Sequence, residues 1–295
     1  MNEGIYYILF FLTGCFLGSF LNVISDRVQS KESIVFGRSH CIFCKTKLVL
    51  RDLVPLFSFL RLKGKCRYCG EKLSWFYPLS EFLTGTLFFG MAYFLKIPQF
   101  FDLGVLSWMY FTFLFVIICV YIVITLSDAK YRIIPNKIVI PAIVFTIMFI
   151  FSRSAYYLFS LKQRLSGEGF GYYLLKAGYW DDRLVREIKD VALVLISAFL
   201  IGFFFWLLVT LTKGRGMGYG DIKLGVLIGL VNRFPVNILA VFMGFVLGAF
   251  FSLVLIVLGK KTMKDTIPFG PFLIMGSLIC LVWGEQIVSF YLGTL

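Results

Sequence analysis

Apolar residues along this chain gather into long blocks separated by polar stretches. Blocks of about twenty are neither alternating strands nor the one-sided stripes of surface helices, and they match what a helix needs to cross ~30 Å of hydrocarbon. Residues 5–24, 76–95, 105–126, 133–151, 191–211, 236–258 and 268 or 269 to 290 read as spans, the last interrupted early by Pro271. An eighth block, residues 222–231, is short. A helix from Asp221 to about Pro235 reaches only ~21 Å, so a thin span and a re-entrant or protein-surrounded helix both stay open. The pattern predicts an all-α polytopic membrane protein of about eight transmembrane segments. In the first block Gly14, Gly18 and Asn22 recur at a spacing of four, one helical face that a neighbour can approach closely. Residues 152–190 are polar, of mixed charge and ragged, and are read as a long insert with room for an interfacial helix. The domain division is residues 1–25 as the first span, 26–75 as a cysteine-bearing loop, and 76–295 as the bundle with its insert.

Composition sharpens this. Hydrophobic residues make up 59% of the 295 and charged residues 15%, against about a quarter in soluble domains. The net charge of +13 does not point to nucleic acid, because the basic residues lie in the loops, where positive charge orients a helix bundle. The loop 26–75 holds 11 Lys and Arg against four acids, which places it in the cytoplasm and the N-terminus outside. Alternation puts Lys130 and Arg132, Lys213 and Arg215, and Lys260, Lys261 and Lys264 on the same inner side. The loop 96–104 falls outside. So does the insert, against the grain of its seven basic residues and five acids. The first block is too long, and lacks the basic flank, for a cleavable signal peptide.

Acids at membrane depth are costly and mark a function or a buried partner. Asp128 closes the third block in SDAKYRIIPN, with a helix break expected at Pro135. Asp221 opens the short block after GRGMGYG, whose glycines permit positive φ and close backbone approach. Alternation puts both acids at one depth, on the cytoplasmic side. Two carboxylates facing one site do not both ionise easily; the ionised one activates water while the protonated one polarises a carbonyl, which is peptide hydrolysis without metal or covalent nucleophile. The residues alone leave open that Asp128 is a helix-end acid held by Lys130 or Arg132, and that Asp221 caps the next helix. No GxxxxGK[ST] pattern supports a phosphate loop. Glu81 lies inside the second block, in reach of the inner side, and Glu285 near the outer interface.

Of seven cysteines, Cys15, Cys119 and Cys280 sit singly in apolar runs and read as small hydrophobes. The other four form CIFC (Cys41, Cys44) and CRYC (Cys66, Cys69). That spacing suits a closed, structural tetrahedral Zn2+ site, with disulfide or redox use as the alternative. His40, the sole histidine, excludes a multi-histidine metal site and reads as a loop residue. The basic residues around these turns suit anionic lipid more simply than nucleic acid.

Taken in order, these segments resemble the bacterial type IV prepilin leader peptidase/N-methyltransferases, membrane aspartic proteases of the GxGD type. GSFLNVISDR from Gly18 to Arg27 resembles the family's opening motif. The two CxxC pairs match its cytoplasmic loop, and SWFYPLSE, with Trp75, Tyr77, Pro78 and Glu81, matches the entry to the second span. SDAKYRIIPN and GMGYGDIKL match the two aspartate motifs, and PFGPFLIMG, residues 268–276, matches the tail motif.

The resemblance implies catalytic Asp128 and Asp221, with Gly218, Gly220, Lys223, Pro135 and Asn136 supporting the site. It implies cleavage of type IV prepilins or pseudopilins after a glycine, at the cytoplasmic face of the bacterial inner membrane. It further implies methylation of the new N-terminal amine, usually on phenylalanine, with S-adenosylmethionine as donor. Asn22, Arg27 and Glu81 are the residues to position substrate or donor. Zn2+ is the structural cofactor, and membrane lipid the other partner. The insert 152–190 is longer than the family's usual connection. A monofunctional peptidase, and a non-enzymatic zinc-containing scaffold or transporter, are the competing readings.

Overall fold

The computed structural model describes residues 3–30, 39–41, 43–97, 99–167, 170–214, 216–262, 265 and 267–293. Arg215 and Lys264, two of the loop charges, lie outside them. The described chain is helical: α1 Glu3–Ser30, α2 Phe57–Arg61, α3 Phe76–Phe94, α4 Val105–Tyr131, α5 Asn136–Leu165, α6 Phe170–Lys176, α7 Tyr179–Leu211, α8 Tyr219–Asn232, α9 Val236–Val257 and α10 Gly270–Leu292.

Six of these, rather than eight, are long and apolar enough to cross a membrane among the described residues: α1, α4, α5, α7, α9 and α10. The two that fall out do so for different reasons. α3 has 19 residues, but Pro78, Ser80 and Glu81 make its first half polar. α8 has 14 residues, ~21 Å of helix, and is simply short.

The ends of the long helices also depart from the pattern. α5 has 30 residues and α7 has 33, so most of the supposed insert 152–190 is their continuation, with the seven-residue α6 between them. Hydropathy marks only the part of a helix that meets hydrocarbon, whereas backbone hydrogen bonding continues until something stops it. The stops here lie at Ser166–Gly167 and at Gly178, whose φ of +81° is left-handed. Pro271 does not interrupt α10 but sits in its first turn, where no intrahelical N–H is needed.

The chain forms two compact units: residues 1–107 with 114–131, and residues 108–113 with 132–295. In the first, α3 runs back along α1. A Cβ at Gly14 would lie 2.8 Å from Phe88 Cβ and 2.9 Å from Gly85 Cα, and one at Gly18 would lie 3.0 Å from Glu81 Cα. The glycine strip therefore does what its spacing predicts: it lets two backbones nearly touch. Asn22, one step further, donates to Ser80 Oγ at 2.8 Å and to the Gly18 carbonyl at 3.0 Å.

In the second unit α8 is wrapped by its neighbours, with Leu224, Gly225 and Leu227 to Asn232 all buried. Gly225 faces Phe205 and Gly229 faces Ala198 of α7. Ile150, Val194, Ala198 and Leu230 form a core joining α5, α7 and α8. Buried polar pairs lock the far end: Asn237 donates to Ser197 Oγ at 2.7 Å, and Asn232 to Ser277 Oγ at 2.5 Å. A helix satisfied by protein on every side needs no span of its own through lipid.

Candidate active site and metal centre

Asp128 lies in the last turn of α4 and is 5% exposed. Its neighbour Ser127 is fully buried and accepts a hydrogen bond from Gln29 Nε2 at 3.0 Å. α4 ends because Arg132 takes a left-handed φ of +56° and Pro135, in extended conformation, caps α5. The break expected at Pro135 is present. Lys130 turns toward the end of α1. Its ammonium goes to Asp26 Oδ1 at 2.6 Å and Tyr77 Oη at 2.9 Å. Asp26 also accepts from Tyr131 Oη at 2.8 Å and from Tyr77 Oη at 3.2 Å. This four-residue hub ties the ends of α1 and α4 to the start of α3. The sequence held a hint of it, since all four of its members fall inside the quoted motifs, but nothing in the spacing pairs them.

Asp221 is 8% exposed and stands in the first turn of α8. Its Oδ2 accepts the Gly218 N–H at 3.0 Å, and its own N–H reaches the Gly218 carbonyl at 3.1 Å. The carboxylate thus closes the helix start from within, reaching back to the N-cap residue instead of capping from the N-cap itself. The positive φ expected of the preceding glycines falls on Gly214, at +72°, while Gly218 is at −87°. Gly220 serves close approach, for a Cβ there would lie 2.8 Å from Ile134 Cβ. Lys223 donates to Asn136 Oδ1 at 2.6 Å. Gly218, Gly220, Lys223, Pro135 and Asn136 all belong to the second unit and line up the starts of α5 and α8. Asp128 belongs to the first unit and Asp221 to the second.

The cysteines form two turns of the same build. In one, Lys45 N–H donates to the Cys41 carbonyl and Cys41 N–H to Thr46; in the other, Gly70 N–H donates to Cys66 and Cys66 N–H to Glu71. Lys45 and Gly70 both have left-handed φ, +56° and +73°. The four Sγ atoms lie within 4.8 Å of one another, and Cys41 and Cys66 are buried. Four thiols at that separation suit one tetrahedral ion with metal–sulfur bonds of about 2.3 Å. The Thr46 hydroxyl and N–H pull the Cys44 thiol down to about 6, while at Cys69 the Glu71 N–H is outweighed by desolvation and the neighbouring thiols, which push that thiol up to about 12, so an ion binding there must displace protons from the set. His40 pairs with Lys47 beside this cluster and is not part of it.

Beneath these turns lies a cavity of about 200 Å³, bordered by Asn22, Asp26, Tyr77 and Glu81 from the helices and by His40, Asp52, Phe59 and Arg67 from the loop. Glu81 is 9% exposed; its Oε2 accepts the Leu56 N–H at 2.9 Å. Arg27 is equally buried but does not border the cavity. A second cavity, about 380 Å³, lies in the other unit past the C-terminal end of α8. Asp190, Arg233 and Glu285 line it.

These features define a multi-pass helical membrane protein with buried acids at two helix ends and a four-cysteine centre able to hold a metal ion. Residues 12–95 match the bacterial peptidase A24 N-terminal domain, and residues 115–253 match the type IV leader peptidase family. The chain belongs to that family. Among curated relatives it is similar to the prepilin leader peptidase/N-methyltransferase of Bacillus subtilis (strain 168), 27% identical over 96% of this chain and 97% of the relative. Proteins of the same name from Aeromonas salmonicida (strain A449) and Stutzerimonas stutzeri are 28% and 26% identical, over 99% and 95% of this chain and 95% and 91% of theirs. No solved structure matches the chain.

Proposed function

We propose that this protein cleaves the leader peptide from type IV prepilins or pseudopilins at the cytoplasmic face of the bacterial inner membrane, and then N-methylates the new terminal residue using S-adenosylmethionine. The observation that carries the reading is the end-to-end similarity to proteins named for both activities. It is supported by two acids, each buried in a motif-bearing helix end.

In this reading Asp128 and Asp221 share one proton. The ionised carboxylate takes a proton from water, and the resulting hydroxide oxygen bonds to the scissile carbonyl carbon. The protonated carboxyl donates to the carbonyl oxygen; the C–N bond then breaks as the other carboxyl passes the proton it took from water to the departing nitrogen, and the carbonyl re-forms as its oxygen returns its proton. A glycine before that bond leaves the carbonyl open to attack. Lys223, held by Asn136, and Gly220, packed on Ile134, fix the α8 start that carries Asp221. Cys41, Cys44, Cys66 and Cys69 would hold one Zn2+. With all four positions filled by protein, that ion staples the loop and leaves the chemistry to other groups. The methyl donor is cationic, and the cavity beneath the cysteines, with aromatic faces and carboxylates, has the lining that suits such a co-substrate.

The test is reconstitution in lipid with a candidate prepilin and mass spectrometry of the product. Loss of the leader, with a further gain of one methyl only when S-adenosylmethionine is added, is the expected result. Leader loss without methylation would leave a monofunctional peptidase. No change across several pilins would shift the reading to a zinc-bearing scaffold or transporter.

A further inference from the structure

Three carboxylates border the cavity under the cysteine turns, and they are not equivalent. Asp26 is neutralised by Lys130 at 2.6 Å and takes two tyrosine hydroxyls as well. Asp52 faces Arg67 at 3.1 Å, and takes the Tyr68 hydroxyl and the Val49 N–H. Among the described residues Glu81 has no cation. Its partners are the Leu56 N–H and the Ser19 hydroxyl, both neutral. Lys65 and His40 border the same cavity, yet neither forms an ion pair with it among the described residues.

A buried carboxylate that has hydrogen bonds but no counter-charge is costly to keep ionised. The chain also spends backbone strain on placing it. Leu56, a non-glycine residue, sits at φ +59°, and it is this residue's N–H that fixes Glu81. An acid held only by neutral groups in a cavity wall fits a cation that arrives from outside.

We propose that this cavity is an amine site, in which the Glu81 carboxylate holds the terminal ammonium of a polypeptide. The inference rests on the N-methyltransferase reading above and deepens it. An ammonium has no lone pair to attack with, so one proton must leave before methyl transfer. Glu81 takes that proton and becomes a carboxylic acid. The amine nitrogen then bonds to the methyl carbon as the carbon–sulfur bond of the sulfonium breaks, leaving a neutral thioether and a methylated ammonium. Asn22, fixed by Ser80, stands one helical turn from Ser19 on the same wall and gives the backbone end of the substrate an amide to meet.

The test compares two probes, a peptide with a free N-terminal phenylalanine and its N-acetylated twin, for binding to the purified full-length protein. The wild-type protein should bind the free amine at least about tenfold more tightly, the scale of one hydrogen bond to a charged group. Glu81→Gln should bring the two peptides within about twofold of each other, and Glu81→Asp should keep part of the gap. Unchanged zinc content in each variant checks the fold. Equal binding of both peptides by the wild type, or a preference that survives Glu81→Gln, overturns the proposal. The failure of the underlying reading looks different: the amine preference stands, but no peptide gains a methyl when S-adenosylmethionine is added.

Discussion

Asp26 accepts bonds from Lys130 and Tyr131, the second and third residues past Asp128, and from Tyr77 at the start of α3. Lys130 also lies 4.9 Å over the Tyr77 ring and 5.2 Å over that of Tyr131, so the charge is held by geometry from several directions. The hub sets the angle at which α4 presents Asp128. Asp26→Asn should keep the shape and lose the charge, costing about 1.5–3 kcal/mol of stability, the range for a hydrogen bond to an ion. A cycle with Lys130→Met should show the two effects to be coupled. If the hub positions the acid, kcat for leader cleavage falls while KM hardly moves; a change in KM alone would place the hub with substrate binding instead. The acids themselves are tested more bluntly. Asp128→Asn and Asp221→Asn should each lower cleavage by at least about 10²-fold, the lower bound for losing a general acid or base. Methylation of an already cut pilin should largely persist in both. Normal cleavage by either purified variant would remove that residue from the chemistry.

Elements extend these residue effects. The two cysteine turns are one design used twice, since Cys41, Cys44 and Lys45 recur 25 positions later as Cys66, Cys69 and Gly70 with the same hydrogen bonds. Metal analysis after chelator-free purification should find about one zinc per chain, and Cys41→Ser with Cys44→Ser should find none. Helicity should barely change in that variant, because among its described residues the loop between α1 and α3 holds only the five-residue α2 and a 3-10 turn at Leu50–Asp52. The seam of α1 and α3 gives a second test with an internal control. Gly14→Leu must push on the Gly85 backbone and should cost about 1–3 kcal/mol, whereas Gly4→Leu meets nothing within 4 Å and should be neutral. Both features were legible beforehand, because a close helix approach and a four-thiol centre are each written in fixed spacings. The ends of α5 and α7 were not. Residues 152–165 and 179–190 are polar enough to look like loop, yet they are helical because no stop signal intervenes before Ser166 or after Gly178. The Asp26 hub and the Glu81–Leu56 bond were equally hidden, since each joins groups at least 25 positions apart that no local pattern relates.

Across the molecule, the number of crossings decides which groups face the same compartment, and helix length and composition count six among the described residues. Within the first unit, geometry adds to that count. Tyr77 opens α3, Asp26 lies near the end of α1 and Lys130 near the end of α4, and all three meet at one point. Gly14 facing Gly85, and Gly18 facing Glu81, make α3 antiparallel to α1 over its length. Its 19 residues cover ~28 Å, enough to return across the hydrocarbon despite a polar first half. That half faces Asn22 and the cavity, which is how Ser80 and Glu81 are tolerated at such depth. If α3 crosses, the connection before α4 lies on the opposite side of the membrane from the cysteine loop. Leu60, 65% exposed on α2, and Leu103, 74% exposed just before α4, report the two sides. Single Leu60→Cys and Leu103→Cys variants in vesicles of known orientation, treated with a membrane-impermeant maleimide and corrected for the native thiols, should label from opposite faces. Labelling from the same face would make α3 a hairpin arm that turns back within the bilayer. That outcome would put the end of α4 across the membrane from the end of α1, which Lys130 and Asp26 join at 2.6 Å, and so would overturn the packing of the first unit.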